Sequence, residues 1–208
     1  MRVSRICVST SKASAYYELV SRLKKGGLGF ESVVPGSAHK GCELVLTTRE
    51  EAKAFAARAL VLEELDRDPE VFKGQILSKL GQKEEVVYIG VDPGVRTGLA
   101  VYYGHTPVAF GTYEALEALC AKVGAFARGL PDRSFVLRVG DGNPQMAEEF
   151  AAALGKTVPG ATIEIVDEKG TTGKAPRMKG IQGDQRAASK IAFRKGDVVT
   201  QRRPRTRG

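Results

Sequence analysis

The second half of the chain opens with three apolar runs of strand length, each separated from the next by a short turn. Closely spaced runs of this kind favour an antiparallel meander, because a short turn joins only neighbouring antiparallel strands. The runs are VVYIGV (86–91), TGLAVYYG (97–104) and PVAFGTY (107–113).

After the meander, the pattern alternates between helical and strand periodicity. The segments are a helix at 115–130, a strand at 134–140, a helix at 144–154, a strand at 162–167 and a helix at 184–195. A meander followed by this alternation predicts an α/β fold with a mixed five-stranded sheet and helices on both faces.

The first 80 residues also alternate between strand and helix signals. Strands are predicted at 5–10, 30–34 and 43–48, and helices at 11–25, 49–65 and 69–80. Ser11 is the expected N-cap of the first helix, and Thr48 with Glu51 fits a capping box that opens the second.

A polar segment, GQKEE, separates these two regions, and we place a domain boundary there. The predicted organisation is a small α/β domain at 1–83, a second domain at 84–196, and a basic, flexible tail at 197–208.

Composition excludes several classes of protein. No apolar run approaches the ~20 residues that span a bilayer, and the N-terminus has no secretion signal, so we expect a cytoplasmic protein without a membrane partner. Two histidines and three scattered cysteines make a zinc site improbable. The cysteines are predicted to be small buried thiols in a reducing cytosol.

The positive charge is concentrated at the C-terminal end of the chain. The net charge is +8, and the residues from Lys169 onward contain twelve Lys and Arg against two acids. The preceding 168 residues therefore sum to −2. A basic segment on a nearly neutral body indicates a polyanionic partner, of which nucleic acid is the commonest. A solvated basic tail without a partner is the alternative.

Four acids stand at the ends of predicted elements. Asp92, Asp141 and Glu168 follow three strands, and Asp184 begins the last helix. Strand ends of an α/β sheet gather at one edge, where clustered carboxylates repel one another unless they are protonated or hold a cation. With no His or Cys beside them, the fitting ion is Mg²⁺, with Mn²⁺ as a substitute. Taken singly, each acid also fits a turn or a helix cap.

Three segments resemble the RNase H-like superfamily, in particular its RuvC/YqgF branch. They are IGVDPGVRTGLAV (89–101), VDEKGTT (166–172) and DQRAASKIA (184–192), and the resemblance covers 86–195. It implies that Asp92 and Asp184 are metal ligands. The middle ligand stays open between Asp141, the RuvC position, which we place first, and Glu168, the YqgF acid. Lys169 departs from the usual Arg.

The resemblance implies a Mg²⁺-dependent endonuclease, similar to Holliday junction resolvases, that hydrolyses branched DNA or structured RNA. Resolvases of this type act as dimers, so a homodimer is implied as well. An RNase H-fold module that binds nucleic acid without cleaving it is the alternative. An ATPase of the actin type needs two large lobes, for which this chain is too short.

Basic residues in and after the predicted loop at 169–183 are expected to contact the phosphate backbone. Three of them recur every four residues along the last helix and form one stripe. The expected contacts are Lys169, Lys174, Arg177, Lys179, Arg186, Lys190 and Arg194.

Overall fold

A computed structural model describes residues 6–35, 41–55, 58–80, 86–168 and 183–199. The chain divides into two compact units, Met1–Lys83 and Glu84–Gly208. None of the helices in these described ranges is long and apolar enough to cross a membrane.

The first unit contains a four-stranded, fully parallel sheet in the order β2-β1-β3-β4. Side chains of its helices, among them Leu19, Leu23, Phe72 and Ile76, are fully buried with those of the central strands. The elements are β1 Ile6–Val8, α1 Ala13–Lys25, β2 Glu31–Ser32, β3 Leu44–Thr47, β4 Ala59–Val61 and α2 Pro69–Lys79.

Helix α2 begins as its sequence predicts. Pro69 occupies its first turn, and the Asp68 carboxylate accepts hydrogen bonds from the backbone N–H groups of Glu70 and Val71. The cap expected for α1 is wrong, since Lys12 takes the N-cap position without a side-chain bond. Ser11 instead donates from its N–H and its hydroxyl to the Glu51 carboxylate, at 2.7 and 2.6 Å.

The helix predicted at 49–65 is also wrong. In its described residues the segment forms a 3₁₀ turn at Ala52–Ala54, strand β4, and a further 3₁₀ turn at Leu62–Glu64. The expected capping box is wrong as well: Thr48 Oγ1 donates to Glu51 Oε2 at 2.7 Å, side chain to side chain, and the Glu51 carboxylate also binds Thr10 and Ser11. Residues 59–61 complete the sheet beside β3, so tertiary pairing overrides the helical preference of this segment.

The predicted set of thiols requires correction. Cys7 and Cys42 form a disulfide with a Cα–Cα distance of 5.8 Å, and Cys120 is the free cysteine among the described residues. Cys7 lies in β1 and Cys42 lies two residues before β3, and the parallel pairing of these strands brings the two side chains together. A spacing of 35 residues gives no sign of this contact in the sequence. Cytoplasmic location therefore stays a prediction.

The second unit is an α/β structure around a mixed sheet, as predicted. Strands β5, β6 and β7 form the antiparallel meander, and β8 and β9 add in parallel on the other side of β5. The sheet order is β10-β9-β8-β5-β6-β7. The elements are β5 Val86–Asp92, β6 Thr97–Tyr103, β7 Thr106–Tyr113, α3 Leu116–Gly129, β8 Ser134–Gly140, α4 Pro144–Thr157, β9 Thr162–Val166, α5 Gly183–Phe193 and β10 Asp197–Val198.

The sheet thus has six strands where five are predicted. Asp197 and Val198, which the sequence analysis assigns to the tail, form the short strand β10, antiparallel to β9. A buried ion pair links β8 to β9, the strand that pairs with β10. In this pair Arg138 Nε donates to Glu164 at 2.9 Å. Arg138 also binds the Ala192 carbonyl at the end of α5, and the Gly196 N–H binds Glu164. These bonds fasten the end of α5 and the chain beyond it to β8 and β9.

The two faces of this sheet carry different helices. Helix α5 lies against β5 and β6 so closely that a Cβ at Gly90 would overlap the carbonyl oxygen of Ala188. Helices α3 and α4 cover the opposite face, where Ile89, Leu99 and Leu137 are buried. The position of α5 therefore depends on small residues in the central strands.

Candidate functional site

Asp92 is the last residue of β5, the meander strand that also pairs with the parallel strand β8. Asp92 pairs with Gly98 of β6. On its other side Val91 pairs with Val139 of β8, so Asp92, the next residue, lies level with Gly140. Its carboxyl is half-buried at this central position. Burial, together with the negative charges of Glu168 and Asp184, raises the pKa of Asp92 from 3.8 to about 6.

Asp184 reaches the same place from the first turn of α5. A Cβ at Gly98 would overlap the Asp184 carbonyl oxygen, so the helix start lies directly on β6 beside Asp92. The Thr-Gly pair that begins β6 thus gives the acidic end of α5 room to approach. The guanidinium of Arg96, in the turn between β5 and β6, faces this acid, with 3.9 Å between Arg96 Nε and Asp184 Oδ2.

Glu168 comes from the segment after β9, two residues beyond its last residue. Its carboxylate lies over the end of β8, where a Cβ at Gly140 would overlap its Oε1. The Gly142 N–H donates to that Oε1 at 3.2 Å. Glycine at the end of β8 therefore provides the space in which this carboxylate approaches Asp92.

Asp141 has a different contact. Its Oδ1 accepts a hydrogen bond from the backbone N–H of Glu168 at 2.9 Å, and its own N–H donates to the Val166 carbonyl. These bonds tie the segment that carries Glu168 to the end of β8. The geometry gives Asp141 contact with the backbone of Glu168, whereas the Glu168 charge is one of the two that act on Asp92.

Glu168 and Asp184 thus lie close enough to Asp92 for their charges to raise its pKa, and Asp141 contacts the backbone of Glu168. Their donors are all carboxylate oxygens, the chemistry that Mg²⁺ prefers, and their mutual repulsion is what a cation relieves. Within the ranges that the structure describes, no three Asp, Glu, His or Cys side chains are already grouped to hold a metal ion. The donor set fits the ion in kind.

The predicted phosphate contacts divide into two groups. Four of them, Lys169, Lys174, Arg177 and Lys179, lie outside the described residues. The other three lie on or just after α5: Arg186 is exposed, and Lys190 and Arg194 are half-buried. Helix α5 buries Ala188, Ser189, Ile191 and Ala192. The three basic residues therefore lie outside the set of residues that α5 buries, as their spacing predicts.

Sequence reasoning did not single out Arg96 or the glycines beneath the acids. The signal that could have found Arg96 is a basic residue four positions after Asp92, in the turn that leads to β6. The positions of Gly98 and Gly140 opposite strand-end acids become meaningful only once the strand register is known.

Comparison of the chain with protein-family models and with curated proteins gives no match.

Proposed function

We propose that this protein is a Mg²⁺-dependent nuclease with an RNase H-like second unit, which hydrolyses phosphodiester bonds in branched or otherwise structured nucleic acid. The observation that carries the proposal is the electrostatic contact of Glu168 and Asp184 with the half-buried Asp92. Three distant parts of the chain supply these acids: the end of β5, the segment after β9 and the first turn of α5.

The topology supports the same proposal. Strand β5, which carries the motif, begins the meander and also pairs with parallel β8. Its end therefore lies in the middle of the row of strand ends, with strands on both sides. Ligand sites of α/β sheets lie at such strand ends. The resemblance implies a mixed sheet of this kind, with its first acid on the first strand and its last acid on the final helix.

Each acid has a role in this proposal. Asp92, Glu168 and Asp184 would hold the ion, and Glu168 takes precedence over Asp141 because its charge acts on Asp92. Asp141 positions Glu168 through the backbone N–H. Mg²⁺ held by these residues would polarise the phosphate as a Lewis acid and would lower the pKa of a bound water. In the reaction a water oxygen bonds to phosphorus, the bond to the leaving sugar oxygen breaks, and that oxygen is protonated.

The charge distribution supports nucleic acid as the substrate. Twelve basic residues follow Glu168, and Arg186 is exposed on the helix that carries Asp184. Phosphate contacts position a substrate without reading its bases, so we propose recognition of shape, such as a junction or a hairpin. Symmetric cleavage of a junction would require a homodimer, as in the resolvases that the motifs resemble.

The test is cleavage of a four-way DNA junction, a linear duplex and an RNA hairpin, each with Mg²⁺ and with EDTA. We expect Mg²⁺-dependent cleavage that falls by about 10²-fold or more in Asp92→Asn, because the central ligand charge is lost. The matched control is Asp132→Asn, an exposed acid in the loop before β8 that should cleave at the parent rate.

An Asp92→Asn protein that is folded and cleaves at the parent rate contradicts the proposal. Parent protein that binds these nucleic acids equally well with and without Mg²⁺ and never cleaves them would instead identify a binding module.

A further inference from the structure

We infer that Arg96 is a phosphate-binding residue of this site, which Asp184 holds in place until a metal ion and a substrate phosphate replace the pairing. The inference rests on the proposed nuclease function and adds a residue that contacts the substrate. Its basis is the placement of a guanidinium in the turn next to Asp92, facing the acid at the start of α5.

The turn between β5 and β6 fixes where this side chain begins. Asp92 and Thr97 flank the turn within paired strands, and the Thr97 hydroxyl donates to the Gly94 carbonyl at 3.4 Å. Val95, next to Arg96, is 97% exposed, so the tip of the turn projects into solvent. The Arg96 side chain therefore starts beside the carboxylates, on a turn that a large substrate can reach.

The pairing with Asp184 is of the kind that exchanges readily. The two groups are 3.9 Å apart, and their side chains are 55% and 39% exposed. Exposed ion pairs contribute little to stability because water and salt screen them. A divalent ion that takes Asp184 as a ligand satisfies that carboxylate, so a substrate phosphate can replace Asp184 as a partner of the guanidinium.

A phosphodiester needs such a cation at this place. The carboxylates of Asp92, Glu168 and Asp184 give the edge a negative potential that repels the substrate backbone. A guanidinium offers two parallel N–H donors to two phosphate oxygens, a geometry that an ammonium group lacks. Arg96 on the rim of the cluster would offset the repulsion and orient the phosphate towards the acids.

This assignment predicts that Arg96→Gln raises the affinity for a metal ion and lowers the rate of cleavage. Removing a cation that competes for Asp184 should tighten Mn²⁺ binding by about two- to fivefold. Removing a phosphate donor should slow Mg²⁺-dependent cleavage by about 10²-fold. Arg96→Lys retains the charge without the paired donors, so its metal affinity should stay near that of the parent while its cleavage is reduced.

The experiment measures Mn²⁺ affinity by titration calorimetry and cleavage of the four-way junction in the full-length protein. It compares the parent, Arg96→Gln and Arg96→Lys, with Arg128→Gln, an exposed arginine at the end of α3, as the control. Circular dichroism verifies that each variant is folded. Tighter Mn²⁺ binding together with slower cleavage in Arg96→Gln supports the inference.

Two results overturn it and leave the proposed function standing. One is unchanged cleavage in Arg96→Gln while Asp92→Asn is inactive, and the other is a joint loss of metal affinity and cleavage, which indicates a purely structural role. A parent protein that neither cleaves nor binds Mn²⁺ removes the proposed function, and the role of Arg96 with it.

Discussion

Asp92 places an ionisable carboxyl at the end of an apolar central strand, where charged groups are usually absent. Burial and the neighbouring charges of Glu168 and Asp184 raise its pKa to about 6. Folding therefore opposes its ionisation, and the protein retains this cost in the absence of a cation. Clustered carboxylates of this kind are more often found at functional sites than elsewhere on a protein.

The raised pKa has a consequence for stability that is independent of catalysis. A carboxyl with a higher pKa in the folded state binds more protons there, so it lowers the free energy of unfolding as pH rises from about 4 to about 6. In EDTA, Asp92→Asn should therefore raise that free energy at pH 8 by about 1–2 kcal/mol, a value reduced for the partial exposure of the group.

The difference between parent and variant should shrink as pH falls towards 4, because the parent carboxyl is then protonated in the folded state and about half protonated in the unfolded state. Urea unfolding at pH 4, 6 and 8 measures it, with Asp132→Asn, a change at an exposed acid, as the control. A variant less stable than the parent at pH 8 would contradict the burial argument.

At the scale of elements, α5 is placed by the absence of side chains beneath it. Gly90 and Gly98 lie under its backbone, and Ala188 and Ala192 face Ala100 and Tyr102. The Tyr102 hydroxyl and the Ser189 hydroxyl share a buried hydrogen bond that fixes the rotation of the helix. The acid at the helix start is therefore positioned by backbone packing.

Gly98→Ala tests this packing. The new Cβ would overlap the Asp184 carbonyl, so α5 must shift, and we expect a loss of about 1–3 kcal/mol in the free energy of unfolding. Cleavage should fall as well, because Asp184 moves away from Asp92.

The control is Gly94→Ala, where the nearest atom to a Cβ is 3.5 Å away, a normal contact distance. Urea unfolding of both variants measures the difference. Equal stability of Gly98→Ala and Gly94→Ala would show that α5 does not need the glycine.

At the scale of the whole molecule, the chain is two compact units with different means of stabilisation. The first unit has few residues in its strands and contains a buried disulfide between Cys7 and Cys42. In the same unit, burial raises the pKa of Glu51, but bonds from Ser11, Thr10 and Thr48 lower it to about 2. Among the described residues, the second unit holds its six-stranded sheet without a disulfide.

Reduction should therefore act on one unit. A disulfide across 35 residues raises the free energy of the unfolded chain by about 3–4 kcal/mol. Reduction, or Cys7→Ser together with Cys42→Ser, should therefore lower the unfolding temperature of the first unit.

The transition of the second unit and the proposed nuclease activity should be retained under reducing conditions. Thermal unfolding with and without reductant measures both transitions, and Cys120→Ser controls for the free thiol. An identical profile in both conditions would contradict the prediction.

Local sequence signals were sufficient where an element's own residues determine it. Helices α2 and α4 begin at Pro69 and Pro144, as the predicted helices at 69–80 and 144–154 do, and the short turns after Asp92 and Tyr103 produce the predicted meander. The same signals failed at residues 49–65, where a helical pattern was overridden by pairing of β4 with β3. They also gave no sign that Cys7 and Cys42 are neighbours.

By itself, the sequence determined the alternation of strands and helices in the second unit, the excess of basic charge after Glu168, and the candidate acids at the ends of elements. Tertiary structure decided which acids meet, and it set Glu168 beside Asp92 while Asp141 holds the Glu168 backbone. The physical reason is that the pattern of apolar and polar residues reflects interactions within one helix or strand. Contact between β5, α5 and the segment after β9 depends on strand register and on glycines that allow close approach.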